Sequence, residues 1–159
     1  MKRLLLVRHA KSDWTHDLPD FDRPLNERGH KDAPKMARFL QEQDIQIEQF
    51  VSSPAKRAIT TARYFAESFG NSKIQKIEDL YEPHFEDFEN TILRLDDAFS
   101  CVALFSHNPG ISEYATNLCN EIIEFPTCGV AVILIETNQW SQLLQSEKKL
   151  EAFYKPKEI

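Results

Sequence analysis

Residues 1–14 read MKRLLLVRHAKSDW. Leu4–Val7 is an unbroken apolar run, the mark of a strand buried on both faces of a parallel sheet. It stops abruptly at Arg8 and His9. In an open α/β sheet, ligands bind outside the carboxyl ends of the strands. A core strand that ends in a guanidinium and an imidazole therefore carries reactive groups to the place where chemistry occurs.

Working outward, further strands are expected at Gln49–Ser52, Ile74–Leu80, Cys101–Phe105 and Val130–Ile135, with short edge strands at Trp140–Leu144 and Glu151–Tyr154. Helical spacing alternates with them. Ala33, Met36, Ala37 and Leu40 mark one helix, which turns helical from Asn26 and is kinked at Pro34 or properly begins near Asp32. Ser53-Pro54 reads as the N-cap and first position of a second helix, with Ile59, Ala62, Phe65, Ala66 and Phe69 as its stripe and Gly70 as its stop. Phe88–Leu95 and Ile111–Cys119 complete the set. The polar stretch His9–Pro24 reads as a loop. The order indicates a three-layer α/β/α sandwich around a mainly parallel central sheet.

The 159 residues suit one domain spanning 1–159, with no repeat or linker. The apolar run after Lys2 and Arg3 is too short for a signal peptide, and no run suggests a membrane span. The expected location is cytoplasmic. Cys101, Cys119 and Cys128 are an odd, widely spaced set, so they read as small buried hydrophobes, not a disulfide or zinc framework. The net charge of −6, without a basic stripe, argues against nucleic acid as a partner. No heptad pattern or uncovered apolar face argues for a dimer, which leaves a monomer.

An acidic body still accommodates an anionic ligand where arginines cluster in a cleft. Three strands end in such residues: Arg8-His9, then Ser52 through Lys56-Arg57, then Ser106-His107-Asn108. Arginine suits phosphate because its planar fork donates two parallel hydrogen bonds. Helix N-termini after Ser53 and Asn108 add backbone donors. Histidine can serve as a covalent nucleophile. No P-loop, HExxH or carboxylate cluster stands near these histidines, and no metal or organic cofactor is implied. His16, His30 and His84 lie in polar stretches and read as exposed. Trp14 and Tyr81 read either as lining of the pocket mouth or as loop packing.

The sequence resembles the histidine phosphatase superfamily, also called phosphoglycerate-mutase-like. Arg8-His9 matches its Arg-His-Gly/Ala signature, Ser53–Ala62 its SPxxRAxxTA segment, and Ser106–Gly110 its second histidine motif. RHAKSDW, Asp20–Gly29 and the short chain are similar to the small single-domain branch that includes SixA-type phosphohistidine phosphatases. The resemblance implies that His9 is the phosphorylated nucleophile. It also implies that Arg8, Arg57 and His107 surround the phosphoryl group. Leu80-Tyr81-Glu82 stands where larger members place a glutamate general acid, which nominates Glu82, although four acidic residues in Glu82–Glu89 leave the spacing undecided. The substrates it implies are a phosphohistidine-bearing protein or a small phosphorylated molecule, with a non-catalytic phosphate-binding module as the alternative of another class.

Overall fold

The computed structural model describes Met1–Ile159. Its six-stranded sheet has the order β3-β2-β4-β1-β5-β6. The strands are β1 (Lys2–Arg8), β2 (Gln49–Ser52), β3 (Ile74–Lys76), β4 (Cys101–Ser106), β5 (Val130–Ile135) and β6 (Lys148–Tyr154). β1 through β4 are mutually parallel; at one edge β5 pairs antiparallel with β1, and β6 antiparallel with β5.

The apolar run of β1 is buried on both faces, as its unbroken hydrophobicity requires. Leu5 and Val7 face one core with α1 (Glu27–Glu42) and α2 (Lys56–Ser68). Leu4 and Leu6 face a second core with α3 (Phe85–Leu93) and α4 (Gly110–Cys119). The period-two alternation of one strand thus divides the protein into its two outer layers. Replacing any of these leucines by alanine is expected to cost about 2–5 kcal/mol, through lost burial plus an unfilled cavity.

Several local expectations are corrected. α1 begins at Glu27, capped by the Asn26 side chain accepting from the Gly29 N–H, and continues through Pro34. The second helix begins at Lys56, with Ala55 and not Ser53 at its N-cap position. The third strand stops at Lys76 and gives way to a 3₁₀ turn at Glu78–Leu80. The third helix starts at Phe85, where Asp87 accepts from the His84 N–H. Trp140–Gln145 is a 3₁₀ helix and not a strand. Its Trp140 donates its backbone N–H to Asp97 and its indole N–H to the Phe99 carbonyl, contacts that hold it off the sheet. β6 is longer than Glu151–Tyr154, beginning at Lys148. All three cysteines are free; Cys101 and Cys128 are buried and Cys119 is half-buried.

Candidate active site

β2, β4 and β1 are neighbours in the sheet, so their carboxyl ends open onto one cleft. This cleft, about 750 Å³, is lined by Arg8, His9, Arg57 and His107 together. All four expected residues converge although nearly a hundred positions separate the first from the last.

The backbone fixes His9. Its N–H donates to the Ser106 carbonyl of the adjacent strand, and its own carbonyl accepts from Cys128. The ring Nδ1 lies 2.7 Å from the Ala10 carbonyl. A carbonyl only accepts, so Nδ1 carries the hydrogen and Nε2 keeps a bare lone pair. Ala10 is held in turn: its N–H donates to Thr61 Oγ1, which donates to the Arg57 carbonyl. The segment beyond is pinned by Gly29, where any Cβ would overlap the Lys11 carbonyl.

Arg57 is 5% exposed and directs its Nε–H at His9 Nε2 over 3.3 Å. Its two other nitrogens are occupied from behind by Asp20: Nη1 donates to the Asp20 carbonyl and Nη2 to its carboxylate at 3.1 Å. The Asp20 carboxylate also accepts from Arg23 and from the Tyr81 hydroxyl, each at 2.6 Å. Burial opposes its ionisation, yet the hydroxyl and guanidinium donors together hold its pKa far below the usual carboxylate range. Tyr81 is correspondingly raised to about 12, first by the hydrogen bond to Asp20.

His107 Nε2 meets Ser53 Oγ at 2.7 Å, and Ser53 Oγ accepts from the Ala55 N–H. Ser53 therefore serves the site rather than capping α2. The His9 and His107 rings lie 5.1 Å apart. Burial, chiefly, pushes both imidazoles down to about 3, and Arg57 and Arg8 push the same way. Both rings are neutral at physiological pH. Arg8 donates Nη1 to the Phe125 carbonyl, and burial followed by the nearby Arg57 lowers its pKa. Arg8 Nε and His107 Nδ1 are buried without a protein partner.

Glu82 lines the same cleft at its exposed rim. Its backbone is left-handed, with φ of 52°, a conformation costing a non-glycine residue about 1–2 kcal/mol. Trp14 and Tyr81 also line the cleft, so the mouth reading holds for both. His16, His30 and His84 are exposed, and His84 is at the cleft margin.

Sequence reasoning missed Asp20 and Arg23. Arg23 is 9% exposed, bonds Ser12 Oγ, and stacks its guanidinium 3.6 Å from the Trp14 ring centroid. The available signal was the Asp20–Gly29 stretch, noted for its resemblance but without a role for either residue. No helix is long and apolar enough to cross a membrane.

Known proteins bear out the resemblance. The chain is 29% identical over 152 residues to an uncharacterized chloroplastic protein of Arabidopsis thaliana, covering 89% of this chain and 70% of the relative. It is 31% identical over 112 residues to phosphoserine phosphatase 1 of Hydrogenobacter thermophilus, covering 58% of this chain and 51% of that one. A solved structure, a putative phosphohistidine phosphatase SixA from Agrobacterium tumefaciens, superposes with a TM-score of 0.83 at 26% identity, covering 98% of both chains. The profile of the histidine phosphatase superfamily, branch 1, matches residues 4–99, so the chain belongs to that superfamily and has the fold of its SixA-type members.

Proposed function

We propose that this protein removes the phosphoryl group from protein phosphohistidine through a covalent intermediate on His9. The observation that carries the reading is the His9 ring: neutral, with Nδ1–H tied to Ala10 and an unprotonated Nε2 among cationic donors. Nε2 attacks phosphorus, and the P–N bond to the substrate imidazole breaks. Water then attacks the phosphoenzyme, releasing inorganic phosphate and restoring the bare Nε2. Arg57 covers that lone pair in the free protein, and an incoming phosphoryl group takes over its Nε–H. Arg8 and His107 each keep a buried polar atom without a protein partner. Both side chains line the cleft with Arg57, where they can bond phosphoryl oxygens. Because these donors are preorganised, they stabilise charge on the transferring group without reorganising.

The acid requirement favours a phosphoramidate. An alkoxide needs a proton in the transition state, whereas imidazole leaves as a weak base once its distal nitrogen is protonated. Glu82 is an exposed rim carboxylate, and no protein hydrogen bond holds it over the reacting atoms. Identity to a phosphoserine phosphatase supports a second reading, a broad phosphomonoesterase with Glu82 as acid.

The two readings separate on paired substrates. Phosphate release is followed from a phosphohistidine protein and from p-nitrophenyl phosphate, with EDTA present, for wild type, His9→Ala and Glu82→Gln. Faster, EDTA-resistant release from the phosphohistidine protein, abolished in His9→Ala and retained in Glu82→Gln, is the expected result. Loss of both activities in folded Glu82→Gln favours the phosphomonoesterase. No release from either substrate, with vanadate still bound, points to a binding module.

A further inference from the structure

A second cavity of about 220 Å³ adjoins the catalytic cleft, and Lys11 and Thr127 line both. Lys155 and Lys157 at the end of the chain and Arg28 near the start of α1 contribute the remaining cations. Two carboxylates, Asp32 and Glu158, oppose these four cations. Asp32 meets Arg28 at 3.4 Å and Glu158 meets Lys155 at 3.9 Å. No ion pair engages Lys11 or Lys157. The groove thus has an excess of positive charge on a chain whose net charge is −6. Glu82 and Glu113 line the catalytic cleft but not this groove.

From this we infer that the Lys11–Lys155–Lys157 groove docks an acidic segment of the protein that presents its phosphorylated side chain to His9. The inference rests on the proposed protein substrate. A second phosphate of a small metabolite fits the groove less well. Lys11, Arg28 and Lys157 are exposed, and the side chains of Arg28 and Lys155 are 50% and 43% accessible. A compact anion needs a rigid, desolvated cradle. Solvent-facing cations instead act over several ångströms on many carboxylates, raising encounter rates in a salt-dependent way. Continuity through Lys11 and Thr127 lets one partner occupy the cleft and the groove together.

The test uses two labelled, unphosphorylated peptides of equal length around one histidine, one flanked by four glutamates and the other by four glutamines. Binding is read by fluorescence anisotropy at low and high salt, for wild type and Lys155→Glu/Lys157→Glu. Hydrolysis of p-nitrophenyl phosphate confirms an intact site, since neither lysine lines the catalytic cleft. We expect the glutamate peptide to bind wild type about tenfold more tightly at low salt. That preference should vanish in the double variant and shrink at high salt, as screening demands. Lys155→Gln/Lys157→Gln should fall between the two. Equal binding of both peptides to wild type, or an unchanged preference in a folded charge-reversed variant, overturns the groove. Hydrolysis of the phosphorylated forms is scored separately. Failure there counts against the phosphohistidine substrate and leaves the docking result standing on its own.

Discussion

The floor of the cleft and its rim are built by different means. On the floor, His9, Arg57 and His107 are each about 5% exposed and sit at strand ends or the first turn of a helix. A sheet main-chain bond sets the position of His9 and helix α2 that of Arg57, and core packing on both faces keeps the strands in place. The rim segment, Ser12–Pro24, has one 3₁₀ turn and a single bridge between Ser12 and Leu25. It is held mainly by side chains: Asp20 to Arg57, Arg23 and Tyr81, and Arg23 beneath Trp14. The proposed chemistry falls to residues carried by the sheet and the first turn of α2. The rim beside them is held by side-chain contacts that run from the buried Arg23–Ser12 bond to the exposed Tyr81–Asp20 bond.

The sharpest way to break this comparison is at the floor. His9→Ala should lower turnover by at least about a thousandfold, because the covalent route is lost altogether, with circular dichroism unchanged. Residual activity within tenfold of wild type would remove His9 from the mechanism. Next comes the junction between floor and rim. Arg57→Lys removes the planar fork that reaches His9 and Asp20 together, and a loss of about a hundredfold in kcat is expected. Asp20→Asn leaves Arg57 in place but less firmly oriented, with a loss nearer tenfold. If Asp20→Asn proved the more damaging, the rim would be part of the reacting machinery.

Stability against pH distinguishes the two regions a third way. Both floor histidines have folded pKa values of about 3, below the ordinary 6.5. Below about pH 6.5 the unfolded chain therefore binds protons that the folded chain refuses, and stability falls as pH drops. The slope is about 1.4 kcal/mol per pH unit for each histidine. Urea unfolding of wild type between pH 6.5 and 4.5 should show it, and His9→Asn/His107→Asn should flatten it. An equal slope in both proteins would mean that the rings are not buried neutral. The smallest effect is expected at the outer rim. Trp14, 75% exposed, packs on Arg23, an exposed cation–π contact worth about 0.5–1 kcal/mol. Trp14→Ala should change hydrolysis of p-nitrophenyl phosphate by less than about threefold.

The same division governs what could be read in advance. The floor was legible because short apolar runs, whose burial is a local property, lead into Arg8-His9 and His107 directly and into Arg57 at the start of the next helix. The burial of β1 on both faces was equally legible in its unbroken apolar run, as were the stripes of α1 and α2. The rim was not, because Asp20 earns its place through Tyr81, 61 positions away. No local spacing encodes that contact. Ser53 shows local and tertiary demands in competition. Ser-Pro is a sound helix-start signal, yet His107 takes up the hydroxyl and the helix begins three residues later. The edge also resisted reading, since the short Trp140–Gln145 carries Trp and two Leu that suit a strand, while bonds from Trp140 to Asp97 and Phe99 hold it elsewhere.

The central claim is that a neutral His9 attacks through Nε2, with Nδ1 tied to Ala10. The most direct measurement is to quench the protein during turnover of a phosphohistidine substrate at alkaline pH and locate the phosphoryl group by peptide mass spectrometry and ³¹P–¹⁵N NMR. The account requires one phosphoryl group on His9, bonded to Nε2. A phosphoryl group on Nδ1, on His107, or on no residue during active turnover would contradict it.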